Sequence, residues 1–300
     1  GWIKRNGLMP SWQGKSSGSK TGYRIFVGVL RAFGVFPAYV LLRFVAFYYF
    51  LFALKSSKQN YRLFRRRLKY SWIGSLVKLY GNYYMFGQSL IDKVVVMSGM
   101  PAKFTYDFDG EQHLHDMVSA GNGGLLLSAH VGNWEIAGHL LKRLGTKINI
   151  VMFDGEHQQI KEYLTGVTGE RIVNVIVIRN DISHIYEISE ALSRKELVCM
   201  HADRFVDGNK FREIQFLDQP AKFPIGPFML AATFKVPVSF VFAMKETNLH
   251  YHFFATSDRN EPGLKKDELS AKLLKEFVSE MEQKVKAYPE QWYNFYNFWQ

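Results

Sequence analysis

Apolar and polar positions divide the 300-residue chain into two regimes. Residues 25–54, IFVGVLRAFGVFPAYVLLRFVAFYYFLFAL, are almost wholly apolar and are interrupted only by Arg31 and Arg43. About 20 such residues suffice to span a bilayer. Gly34 and Pro37 break the helical pattern, however, and an arginine at mid-bilayer is costly. The pattern predicts one helix, or two short ones, lying in or dipping into one leaflet, with the arginines reaching to the headgroups. A spanning helix and the core helix of a soluble domain are the alternatives. Residues 58–90 read as further helix, with aromatic and basic residues alternating by face.

From about residue 104 the period changes. Short apolar runs predict strands at 124–129, 148–153, 173–178, 197–202, 236–244 and 251–256. Helical patterns separate them at 133–144, 156–168, 182–194 and 225–235, and an amphipathic helix follows at 265–287. Several strands are continuously hydrophobic, as in a sheet covered on both faces. The predicted fold is therefore α/β: a central, mostly parallel or mixed sheet flanked by helices, preceded by an apolar, basic helical segment that binds membrane. Its predicted organisation is a flexible basic leader (1–22), a helical membrane-association segment (23–90) and an α/β domain (91–300) packed with that segment as one unit.

Charge sharpens this division. No Asp or Glu occurs before Asp92, whereas the same stretch holds 15 Lys and Arg, so the whole net charge of +11 originates there. Such asymmetry calls for an anionic partner: a membrane surface, an acidic carrier protein or nucleic acid. The apolar stretch inside the basic segment favours an anionic membrane surface, and no nucleic-acid-binding motif is present, so nucleic acid is not expected as a partner. Arg65, Arg66 and Arg67 read as part of that cationic face. The single cysteine, Cys199, excludes an intramolecular disulfide and reads as a small buried hydrophobe. His113 and His115 lack the further ligands of a metal site and read as surface residues, so no metal is expected.

Candidate chemistry concentrates in GLLLSAHVGNWEIAGHLLKRLG, residues 124–145. A buried strand ends at Ala129, His130 follows in the turn, Asn133 is placed to cap a helix, and Glu135 falls in its first turn. Acyl transfer to an alcohol or amine needs the acceptor deprotonated as it attacks, and a neutral imidazole suits that task near pH 7. A carboxylate on the other ring nitrogen would fix the tautomer. The local spacing assigns that carboxylate to Glu135, with backbone N–H groups at the helix start as candidate oxyanion donors. His201 and Asp203, at a strand end, read as pocket-lining or as ordinary structural residues.

The stretch His130-Val-Gly-Asn-Trp-Glu135 resembles the H-x4-D/E motif of the glycerolipid acyltransferase superfamily, and its H-x-G-N-W-E form resembles the late lipid A biosynthesis acyltransferases. HADR (201–204), FREIQFLDQPAKFPIGPFMLA (211–231) and YPEQWYNFYNFW (288–299) resemble later family segments in the same order. The resemblance implies a membrane-associated enzyme on the cytoplasmic face of the inner membrane. It would move a fatty-acyl group from acyl carrier protein, or from coenzyme A, to a lipid or glycolipid acceptor. No cofactor is implied beyond the acyl thioester as co-substrate, and acyl carrier protein is the preferred donor partner. His130 and Glu135 would be catalytic. Asn133, Trp134, Asp203, Arg204, Lys222 and Gly226 would bind substrate. Asp218 stands where the family usually has Gly, Lys222-Phe223 where Arg or Thr is frequent, and Arg204 where Gln is often found. A non-catalytic lipid-binding or basic nucleic-acid-binding protein is the alternative reading.

Overall fold

The computed structural model of the chain describes residues 20–100, 102–134, 136, 141–153, 173–179, 181–204 and 210–299. The N-terminal part is helical, with α1 (Lys20–Phe33), α2 (Val35–Phe52), α3 (Leu54–Arg62) and α4 (Trp72–Met97). Gly34, at φ 82°, separates α1 from α2. Pro37 falls in the first turn of α2, where its missing N–H has no helical partner to lose. Gly34 thus divides the apolar stretch into two helices, and Pro37 is accommodated in the first turn of the second. Helix α2 buries Val35, Ala38, Tyr39, Leu42 and Ala46, a stripe at helical spacing packed on α4. Phe36, Val40, Phe44, Phe47 and Phe52 remain exposed. By length and composition α2 could cross a membrane, and 28% of it is buried.

The stretch 58–90 is helical as expected, but in two helices with a break between them. A π-helical turn, Leu63–Arg67, ends α3, and Lys69 takes a left-handed φ of 60°. Ser71 then caps α4 by accepting the Gly74 N–H at 3.0 Å. Helix α4 continues past residue 90, where the sequence reading placed its domain boundary, to Met97.

The α/β part contains β1 (Thr105–Asp109), α5 (Glu111–Ser119), β2 (Gly124–Ser128), β3 (Ile148–Phe153), β4 (Val173–Ile178), α6 (Ser183–Ser193), β5 (Leu197–His201), β6 (Phe211–Phe216), β7 (Gln219–Pro224), α7 (Gly226–Phe234), β8 (Val238–Thr247), β9 (His250–Ala255) and α8 (Lys266–Ala287). Seven strands form one sheet in the order β1-β9-β8-β2-β5-β3-β4. Its pairs are parallel except β8 with β9. The α/β expectation holds, with the sheet mixed but mostly parallel. Of the predicted helices, 156–168 lies outside the described residues. Within 133–144, Trp134 and Ile136 are helical and Leu141–Leu144 is a 3-10 turn.

Strands β1, β6 and β7 were not expected from sequence. The hairpin β6–β7 turns through Leu217 and Asp218, both at positive φ (51° and 63°). A turn with two left-handed residues favours glycine at the second position, which accounts for the Gly that the resemblance leads one to expect where this chain has Asp218.

Helix α8 covers the sheet with Leu269, Leu273, Phe277, Met281 and Val285, all buried at helical spacing. Asp267 and Glu268 in its first turn and Lys284 and Lys286 in its last complement the helix dipole. Beyond it, the terminal segment buries Trp292 against Phe216 and Phe298, at ring-centroid distances of 5.4 and 5.1 Å. The fold therefore brings the chain's end back beneath the carboxyl edge of the sheet, where parallel strands of α/β proteins present their ligand sites.

Candidate active site

The turn after β2 carries His130, and the turn after the adjacent parallel strand β5 carries Asp203. Their register, Ser128 opposite His201, puts the two turns side by side. Asp203 Oδ1 lies 2.8 Å from His130 Nδ1, and Asp203 Oδ2 accepts the backbone N–H of His130 at 3.1 Å. One carboxylate thus holds both the ring and the main chain of His130. The Asp203 side chain is fully buried, and that of His130 is 17% exposed. Burial alone would push the Asp203 carboxyl up. The charge and hydrogen bond of His130, with Arg204 and His201 nearby, outweigh it and hold the group well below the usual carboxylate range. An ionised carboxylate only accepts, so the proton of this hydrogen bond belongs to Nδ1, and Nε2 is the basic nitrogen of the neutral ring.

The imidazole of His201 stacks on that of His130, with centroids 4.2 Å apart and planes at 24°. Trp134 meets His201 edge to face at 4.8 Å. His130, His201 and Asp203 offer ligand atoms within 4.8 Å of one another, close enough for a cation. The rings, however, face each other, whereas imidazole coordinates through a lone pair in its own plane. The arrangement is that of a hydrogen-bonded pair with a stacked neighbour.

The turn itself is clamped from two sides. Gly132 takes φ 73°, and a Cβ there would lie 2.0 Å from the carbonyl oxygen of Ala243, so the position requires glycine. The Gly132 N–H donates to Gln291 O at 2.8 Å, the Asn133 N–H to Ala243 O at 2.8 Å, and the Tyr293 N–H to His130 O at 3.2 Å. The amides of His130, Gly132 and Asn133 are thus committed to the scaffold, not to an oxyanion. Asn133 caps the following turn as expected, its Oδ1 accepting the Ile136 N–H at 3.4 Å. It is also buried, and its Nδ2 donates to Ser89 O and Tyr251 Oη at 3.2 Å each. Its observed role is to anchor the turn.

Arg204 donates to Tyr293 O at 2.9 Å and lies 5.5 Å from the centre of the Tyr296 ring, tying β5 to the terminal segment. Lys222 and Gly226 belong to the hairpin and to the first turn of α7. Lys222 Nζ sits 5.0 Å over the Phe211 ring, and Gly226 is exposed with open space where a Cβ would be. Glu135 lies outside the described residues. Of the expected site residues, the structure therefore gathers His130, Trp134, Asp203 and Arg204 at one edge, adds His201, sets Asn133 behind them and leaves Lys222 and Gly226 on other elements. The Cys199 thiol, within β5, is pushed up to about 12 by burial and is not a nucleophile. Arg65 donates to Tyr70 O at 3.1 Å, and Arg67 lies 4.8 Å over Trp299, so two of the three consecutive arginines are engaged within the fold.

A histidine oriented by a buried carboxylate, at the carboxyl edge of a mostly parallel sheet, is the architecture of an α/β enzyme. The family follows from comparison with known proteins: residues 82–300 match the family described as bacterial lipid A biosynthesis acyltransferase, and the chain belongs to it. It is also similar to a phosphatidylinositol mannoside acyltransferase of Mycobacterium tuberculosis (strain ATCC 25618 / H37Rv), 29% identical over 127 residues that cover 41% of this chain and 39% of that protein. A protein of the same name from strain CDC 1551 / Oshkosh is 28% identical over 127 residues with the same coverage. The matched region spans about two-fifths of the length of these curated relatives.

Proposed function

We propose that this protein transfers a fatty-acyl group from a thioester to a hydroxyl or amine of a lipid or glycolipid acceptor, with His130 as the general base. The observation that carries this reading is the 2.8 Å contact between Nδ1 of His130, the first residue of the H-x4-D/E motif, and Asp203 at the end of the neighbouring strand. Nε2 of His130 takes the acceptor's proton as its oxygen or nitrogen attacks the thioester carbonyl. The C–S bond then breaks, and the imidazolium returns the proton to the departing thiolate. Asp203 keeps the ring in the productive tautomer and stabilises the imidazolium. Glu135, the carboxylate of the motif, supplies negative charge beside the pair, and Trp134 and Arg204 border the acceptor. The family and the glycolipid-acylating name of the relatives support a lipid or glycolipid as acceptor.

Acyl carrier protein is the preferred donor, because it is acidic and the first third of this chain is strongly basic. The test offers the purified protein acyl carrier protein and coenzyme A thioesters of one chain length, together with candidate lipid acceptors, at low and moderate ionic strength. The expected result is acylated lipid by mass spectrometry and a carrier-protein rate that falls with salt. Absence of acylated product with either donor would overturn the function. Equal use of coenzyme A with no salt dependence would overturn the donor assignment.

Attachment to the cytoplasmic face of the inner membrane through α2 is part of this proposal. The exposed Phe36, Phe44 and Phe47 supply the apolar contact, and Trp72, Ile73 and Val77 at the start of α4 add to it. Changing the three phenylalanines to Ser is expected to weaken flotation with anionic phospholipid vesicles by about tenfold per side chain, since burying a Phe is worth roughly 1.5–3 kcal/mol. Unchanged flotation of the triple variant would rule this surface out.

A further inference from the structure

Asp92 is the first acidic residue of the chain, and it lies with no exposure in the middle of the fold. From α4 it receives hydrogen bonds from Tyr39 of α2, Lys245 of β8 and Tyr251 of β9. Lys245 is itself buried, and its ammonium lies 5.0 Å from the centres of the Tyr39 and Tyr251 rings and 5.7 Å from that of Phe104. Replacing such a buried pair by well-packed apolar residues is often neutral or stabilising, so stability alone gives no reason for it.

Its connections supply one. The Tyr251 hydroxyl, which donates to Asp92, accepts from Asn133 Nδ2 at 3.2 Å. The backbone of Lys245 is held from both sides by Gln291, with Lys245 N–H to Oε1 at 2.9 Å and Nε2 to Lys245 O at 2.7 Å. The carbonyl of Gln291 in turn holds Gly132 at 2.8 Å. Two routes therefore run from the Asp92–Lys245 pair to the turn bearing His130, one through Tyr251 and Asn133 and the other through Gln291 and Gly132.

We infer that Asp92, Lys245, Tyr251 and Gln291 are positioning residues that set the turn 131–133 and hence the placement of His130. This rests on His130 being the base proposed above. The ion pair fixes the hydroxyl direction of Tyr251 and the height of the β8 backbone, and both set where the turn can sit. Tyr39 bonds the same carboxylate, accepts from Lys245 Nζ at 3.0 Å and reaches Asn248 O at 3.1 Å, and its hydroxyl bonds neither Asn133 nor Gln291, the residues through which the two routes reach the turn.

The test compares Tyr251→Phe with Tyr39→Phe. Each removes one hydroxyl from Asp92, but only the first cuts a route to the turn. Steady-state kcat and KM, thermal unfolding and the ring ¹⁵N signals of His130 under histidine-selective labelling are measured for both. Tyr251→Phe is expected to lower kcat by about 10- to 100-fold, the scale of a small misplacement in a catalytic site, with little change in KM and a shifted His130 signal. Tyr39→Phe is expected to keep kcat and the His130 signal while losing a similar amount of thermal stability. Equal losses of kcat in the two variants, in step with stability, would reduce the network to a structural role and overturn the inference. So would a Tyr251→Phe protein with unmoved His130 signals. A wild-type protein that acylates nothing would overturn the function instead, and the His130 signals would still decide the positioning claim.

Discussion

Replacing His130 with alanine is expected to lower acyl transfer by about 10²- to 10⁴-fold, the usual contribution of a general base, while leaving a folded protein. The side chain lies at the sheet edge, where its ring hydrogen-bonds Asp203 and stacks on His201. Its removal takes the basic nitrogen from the site and leaves a buried Asp203 that has lost the main partner of its charge but still accepts the residue-130 backbone N–H. Some loss of stability is expected from the orphaned carboxylate oxygen, so the variant is to be compared with His130→Gln, which restores a donor without restoring a base of suitable pKa. Both variants should be inactive, and the glutamine form the more stable. Near-normal turnover by either folded variant would remove His130 from the mechanism, whatever its partners.

Much of this architecture was legible in the sequence because its signals are local. The continuous apolar runs that became β2, β3, β4, β5 and β8 advertise strands buried on both faces, and the stripe of α8 advertises a helix lying on a core. The elements that escaped are those whose character comes from their surroundings. Strand β1, TYDFD, is an edge strand with both aspartates directed outward, and the hairpin strands FREIQF and QPAKFP are half exposed, the second flanked by prolines. The break between α3 and α4 was hidden because KYSW contains neither Gly nor Pro, although Ser71 is a capping residue in plain view. At the site, the motif located His130, and its spacing pointed to Glu135. The carboxylate that hydrogen-bonds the ring, Asp203, is 73 residues away, and only the parallel pairing of β2 with β5 brings it there. From sequence Asp203 reads equally as a pocket-lining or an ordinary structural residue at a strand end, because nothing in its own neighbourhood reveals which strand will lie beside it. The same holds for Asp92 and Lys245, 153 residues apart.

Asp203→Asn is expected to reduce kcat on the order of 10²- to 10⁴-fold with KM largely kept, by analogy with the loss seen when the orienting carboxylate of a catalytic triad becomes an amide. An asparagine amide can donate to Nδ1 and so favour the tautomer with the proton on Nε2, which then has no lone pair for the acceptor's proton. The same substitution should also change the acid limb of stability. The Asp203 carboxyl is held below its ordinary value in the folded protein, so its contribution is fully present above the unfolded carboxylate pKa of about 3.9 and is lost as the pH falls below that value toward the folded one. A pH series of unfolding free energies should therefore fall less steeply in acid for Asp203→Asn than for the wild type. Glu135→Gln is the companion measurement. If Glu135 supports catalysis by charge near the site without holding the ring, its loss should lower activity without altering the His130 ring ¹⁵N signals, whereas Asp203→Asn should exchange the two ring nitrogens' protonation. An Asp203→Asn enzyme with wild-type kcat across pH and an unchanged tautomer would transfer the orienting role away from Asp203. A tautomer exchange in Glu135→Gln instead would assign that role to the carboxylate five residues along the motif.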